Sequence, residues 1–276
     1  LRKRMKTLKN EIKISGTGLH SGEESTLWMR PCERPGIHFR NENGLSPVTE
    51  AVVEEDSRLT GFSLPNGAVV RTAEHLLAAI AGMGLNAVEL ELSGSEVPIL
   101  DGSAFPFAEA IKDCGFTEMD GILKGRAISA PIFLEENGGS RLIAAAPSDR
   151  LTVTYIIDYS GTPIGLQKVK YDITSETFYN IISKARTFGL TSELDYLKQN
   201  GLAKGGTLDN ALIFDENGPV GSQRLRFPLE CVTHKVIDLL GDLTLAGEIP
   251  AAHYVAVAAG HSIHGKLARR IRALFS

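Results

Sequence analysis

Four kinds of side chain in this 276-residue sequence have the type and spacing to do chemistry. His234, Asp238 and Asp242 recur every fourth residue, so a helix would stack an imidazole and two carboxylates along one face, a turn apart. Val236, Ile237, Leu239 and Leu240 fill its other sides, which predicts a buried helix whose ionisable groups need a partner, a metal or a shifted pKa. A hydrogen bond between His234 and Asp238 would satisfy the same spacing without any chemistry. Glu74 and His75 open a second, almost wholly apolar helix, and Gly260-His261-Ser262-Ile263-His264 brings two imidazoles to the end of an apolar strand. Catalytic zinc takes three His or carboxylate ligands, leaves one position open for water and works beside a base. His234 and Asp238 can supply two ligands and His75 the third, with Glu74 as general base. His261 remains as general acid, oriented and kept charged by Asp242. Cys231, three residues before His234, is a rival ligand, but a thiolate makes the metal a poorer Lewis acid, so we place it in the core.

The elements that must position these groups are of two kinds. Short strands, Glu11 to Ser15, Ser25 to Arg30, Gly36 to Arg40, Pro47 to Val53 and Ala68 to Val70, are punctuated by turn residues, and the helix from Thr72, as N-cap, to Gly82 follows them. Asn86 to Leu92 reads as a half-buried strand and Ala104 to Cys114 as a helix. The order then restarts with strands at Gly125 to Leu134, Ser140 to Ala146, Leu151 to Asp158 and Gln167 to Tyr171, Asn137-Gly138-Gly139 forming a hairpin turn. Helices follow over Glu176 to Ala185, Phe227 to Leu245 and from His261 onward. Two successive units of strands then helices predict an α+β fold of two similar domains, 1–122 and 123–276. Between them Ser192 can cap a short helix, Glu193 to Gln199, in a segment whose Phe188, Leu190, Leu194, Leu197 and Leu202 must pack on the core or line a hydrophobic ligand.

Composition excludes several classes. With 29 Lys and Arg against 33 Asp and Glu, a net charge of -4 argues against nucleic-acid binding, whose affinity rests on a basic surface, and leaves room for local basic patches only. Three scattered cysteines make no disulfide framework and point to a reducing cytosol. No apolar run reaches the ~18 residues of a spanning helix. The last helix sets Arg269, Arg270 and Arg272 opposite Leu267, Ile271, Leu274 and Phe275, which allows at most peripheral contact with a membrane.

Thr72-Ala-Glu74-His75-Leu-Leu-Ala-Ala79, Pro98-Ile-Leu-Asp-Gly-Ser103, Arg186-Thr-Phe-Gly189, Gly206-Thr-Leu-Asp-Asn-Ala211, His234-Lys-Val-Ile-Asp238-Leu-Leu-Gly-Asp242 and Gly260-His261 resemble, in order and spacing, the UDP-3-O-acyl-N-acetylglucosamine deacetylase family of lipid A biosynthesis. Thr7-Leu-Lys-Asn10 and Gly18-Leu-His-Ser-Gly22 fit the same pattern, which covers nearly the whole chain. The resemblance implies a cytoplasmic zinc (Zn2+) amidase that removes the N-acetyl group from a UDP-linked, 3-O-acylated glucosamine; separately from it, we expect a monomer. It implies zinc on His75, His234 and Asp238, Glu74 as base, His261 as acid and Asp242 as the partner of that histidine. Lys235 and Thr187 match residues that polarise the amide carbonyl or hold its oxyanion. It further implies that the two domains pack with their helices facing and the site between them. An insert around 186–210, with Phe188, Leu190 and Leu202, would form a hydrophobic passage for the acyl chain. His264 stands where the family often has an asparagine.

Overall fold

Alternating burial decides most of the strands. In the computed structural model, which describes residues 2–54 and 59–275, the strand Glu24–Pro31 buries Ser25, Leu27 and Met29 and turns Thr26, Trp28 and Arg30 outward. That is the two-residue period of a sheet with one face on the core. The first part of the chain runs β1 (Arg2–Leu8), β2 (Ile12–Thr17), β3 (Glu24–Pro31), β4 (Gly36–Asn41), β5 (Gly44–Pro47), β6 (Val52–Val53), β7 (Phe62–Ser63), β8 (Val69–Val70), α1 (Glu74–Gly82), β9 (Ala87–Leu92), α2 (Phe105–Cys114) and β10 (Phe116–Lys124). β9 is the hub of a seven-stranded sheet, antiparallel to β3 and parallel to β4, with β1 and β10 beyond it. β6, β7 and β8 form a small separate sheet.

The second part runs β11 (Ile132–Glu136), β12 (Arg141–Pro147), β13 (Thr152–Tyr159), β14 (Gly165–Asp172), α3 (Ser175–Asn180), β15 (Phe188–Leu190), α4 (Thr191–Gln199), β16 (Leu212–Phe214), α5 (Glu230–Leu243), β17 (Ala252–Val257) and α6 (His261–Leu274). β17 enters the middle of a five-stranded sheet, between β12 and β13. β15 and β16 pair in parallel and, with α4, make up the excursion expected around 186–210. The architecture is α+β.

α5 lies on β13 and β14, α6 on β11 and β12, and α2 on β2, while α1 packs against α5 and α2. The helices of the two parts therefore meet, and the contact of α1 with α5 is intimate. A Cβ built on Gly241 would lie 2.2 Å from the Glu74 carbonyl oxygen, so only glycine lets the backbone of α5 reach the first turn of α1. A second close approach joins the turn before α2 to the excursion: Gly102, at φ 80°, abuts the Asn210 carbonyl, and its own carbonyl accepts from the Thr187 N–H at 2.7 Å.

Several boundaries differ from expectation for identifiable reasons. Thr72 does not cap α1; it sits at φ 53° and its hydroxyl donates to Glu96 Oε1 at 2.7 Å. α5 begins at Glu230 instead of Phe227, because Leu229 at φ 63° interrupts the helical path. Gly125 to Leu134 is not one strand, since β10 ends at Lys124 and β11 starts at Ile132. β1 and β10 were missed because their Lys, Arg and acidic residues mask the alternation. They are nonetheless an antiparallel pair.

Candidate metal centre and active site

The facing helices bring His75 from α1 against His234 and Asp238 from α5. Their Nε2 atoms approach to 3.3 Å, and Oδ1 of Asp238 lies 3.3 Å from Nε2 of His234. Each of the three is at most 3% exposed. His234 donates through Nδ1 to the Ala185 carbonyl at 3.0 Å, which fixes its tautomer and leaves Nε2 as a lone pair. Burial, and then the neighbouring His234, push His75 down to about 3, which keeps the His75 imidazole neutral. Burial opposes a charge on Asp238, but the Lys235 ammonium at 2.5 Å from Oδ2 outweighs it and holds the carboxyl well below its usual range. Two bare nitrogens and an ionised oxygen facing one another repel unless a cation lies between them. Ligand atoms ~2.0–2.1 Å from a tetrahedral ion sit about 3.3–3.4 Å apart, close to the 3.3 Å that separates His234 Nε2 from each of the other two ligand atoms. The residues fit a bound metal ion, their ligand atoms all lying within 4.8 Å of one another.

Glu74, beside His75, is 5% exposed, and its Oε2 accepts from the Thr60 N–H at 3.1 Å. Burial pushes its carboxyl up to about 7, against the opposing pull of His261, which suits a group that must take up and release a proton near neutrality. His261 begins α6. Its Nδ1 lies 2.8 Å from Oδ2 of Asp242, and this carboxylate overcomes the effect of burial to raise the imidazole to about 9. Asp242 itself is lowered to about 2 despite burial, because His261 and His264 both point Nδ1 at the same oxygen while the Thr60 hydroxyl bonds the other.

A cavity of about 740 Å3 contains Glu74, His75, Thr187, Phe188, His234, Lys235, Asp238 and His261 in its lining. Its apolar wall comes mainly from the excursion, as Leu194, Leu197, Leu208, Ala211 and Ile213, with Leu19 from the first glycine-rich loop. That excursion is anchored by Arg186, whose guanidinium and N–H both bind the fully buried Glu230 at the start of α5. Phe188 stands in the cavity with its ring 6.4 Å from that of His234. Leu190 and Leu202 do not line it: Leu190 packs on the core, and Leu202 closes the turn after α4 through its N–H to the Leu197 carbonyl. Cys231 is buried outside the triad, its thiol pushed up to about 12 by burial and Glu230.

Sequence comparison decides the family. The model for LpxC, UDP-3-O-acyl N-acetylglycosamine deacetylase, matches residues 5–273. The chain belongs to this family. Among the relatives of this deacetylase family, the UDP-3-O-acyl-N-acetylglucosamine deacetylase of Oleidesulfovibrio alaskensis is 40% identical over 271 residues, 96% of this chain and 88% of that one. That of Syntrophotalea carbinolica is 38% identical over 271 residues, covering 97% and 87%. The Thermosynechococcus vestitus deacetylase is 39% identical over 270 residues, covering 96% and 93%.

Reading the sequence missed Thr60 and gave His264 no place with Asp242. Thr60 has no local signal, since its role depends on the loop that brings it to Asp242. His264 did have one: it follows His261 by three residues, so both fall on one side of a helix.

Proposed function

We propose that the protein is a zinc-dependent deacetylase that hydrolyses the N-acetyl group of a UDP-linked, 3-O-(3-hydroxyacyl) N-acetylglucosamine, giving the free amine and acetate, an early step of lipid A synthesis. The observation that carries this reading is the buried triad of His75, His234 and Asp238, its ligand atoms within 4.8 Å of one another, in one cavity with Glu74 and His261.

A zinc ion held by the triad supplies a Lewis acid for the acetyl carbonyl and for water. Glu74 takes the proton of the water that attacks the carbonyl carbon. Lys235, whose ammonium carries three donors and gives one to Asp238, and the Thr187 hydroxyl stabilise the negative charge that develops on the carbonyl oxygen. As the carbon–nitrogen bond breaks, His261 gives the Nε2 proton to the departing amine while Asp242 keeps its Nδ1 proton in place. Phe188 and the leucines of the excursion offer the acyl chain an apolar wall. We further propose that the chain divides at residues 122 and 123 into two domains, and that it acts as a cytoplasmic monomer with at most peripheral membrane contact and no affinity for nucleic acid.

Glu74→Gln tests the chemistry. It keeps the shape and removes the base, so kcat should fall by on the order of 10²-fold or more with bound zinc unchanged. Near-normal turnover in a fully metallated variant would remove Glu74 from its role.

A further inference from the structure

Asp242 serves two imidazoles, of which the proposed chemistry uses only one. Nδ1 of His264 lies 2.8 Å from Oδ2, the same oxygen and the same distance as Nδ1 of His261. His264 is fully buried and Asp242 is 1% exposed. An ionised carboxylate can only accept, so both Nδ1 atoms carry protons. On the far side of His264, Nε2 is 3.0 Å from the hydroxyl of the fully buried Tyr155, which also lies 2.9 Å from the Ala259 carbonyl. Burial favours the neutral imidazole, so His264 keeps its single proton on Nδ1, and the Nε2 lone pair shares the Tyr155 O–H with that carbonyl.

Resting on the deacetylase reading, we infer that His264 is a positioning residue that, locked by Tyr155, pins Oδ2 of Asp242 and tempers its basicity, thereby setting both the orientation and the acid strength of His261. A donor on Oδ2 draws negative charge away from the oxygen that stabilises the imidazolium, so His261 parts with its proton more readily. The groups facing His261 are Asp242 and Asp238 from α5, Glu74 and His75 from α1, His20 from the first loop and His264 from its own helix. A second cavity, of about 190 Å3, adds Glu54, Lys266 and Arg269. All but His264 are common to wild type and variant, so a change on replacing His264 reports that residue.

The test is His264→Phe, with His264→Asn as the rescue, because an asparagine amide can put an N–H where Nδ1 was. His264→Phe should lower kcat about 10-fold with KM nearly unchanged. The alkaline limb of its pH profile should move to higher pH, and His264→Asn should return it toward wild type. Nitrogen-15 NMR of the zinc-loaded protein, which needs no turnover, should show His264 as the neutral Nδ1–H tautomer and His261 titrating at higher pH in His264→Phe. A wild type that binds zinc but does not deacetylate would defeat the functional reading alone, and the NMR would still decide this one. An Nε2–H tautomer for His264, or an unmoved His261 titration in a folded His264→Phe, would overturn it. Should His264→Phe not fold, His264→Leu, a smaller side chain that also lacks the donor, replaces it, with the His261 titration expected at higher pH and an unmoved one contradicting the inference.

Discussion

Glu74 and His261 are both made weaker acids by one environment, for different reasons. Burial raises the carboxyl, and Asp242 raises the imidazole in spite of burial. In the range between about 7 and about 9 the carboxylate is ready to accept a proton and the imidazolium to give one. The proposed mechanism needs His261 protonated, so activity should fall as pH rises through its pKa. Asp242→Asn removes the negative charge that raises that pKa. The alkaline limb of kcat/KM should move to lower pH, opposite to the shift expected for His264→Phe, with activity reduced roughly 10- to 100-fold. A pH profile of the amide variant that overlays wild type would show that Asp242 does not govern the acid.

At the scale of elements, the site depends on how closely α1 meets α5. Gly241 is the contact point, and a methyl group there would strike the Glu74 carbonyl. Gly241→Ala should cost roughly 1–3 kcal/mol of stability through overpacking. It should weaken zinc binding disproportionately, since it separates His75 from His234 and Asp238, and thermal melts with and without zinc would show the difference. Equal losses in both states would mean that the metal site tolerates the displacement. Much of this was legible in sequence: the spacing of His234, Asp238 and Asp242 and the apolar bodies of α1 and α5 follow from helical periodicity. What was not legible is long-range. The pairing of β1 with β10, the bond from Thr72 to Glu96 and the meeting of Thr60 with Asp242 join residues far apart in the chain. Leu190 and Leu202 show the same limit, because composition marks a segment as apolar and only packing decides which of its side chains face a cavity.

Across the whole molecule, two sheets carry little of the chemistry themselves. They hold helices against one another so that His75 and His234, more than 150 residues apart in sequence, come within 3.3 Å. No described helix is long and apolar enough to cross a membrane, and the cavity offers apolar and reactive walls side by side, as a substrate with both a sugar amide and an acyl chain requires. The most direct test of the account is a single assay on UDP-3-O-acyl-N-acetylglucosamine, with the protein stripped by a chelator and then reloaded with one equivalent of zinc. Acetate release should vanish on stripping and return on reloading, and His75→Ala should neither retain zinc nor recover. Undiminished acetate release by the metal-free protein, or by His75→Ala, would contradict it.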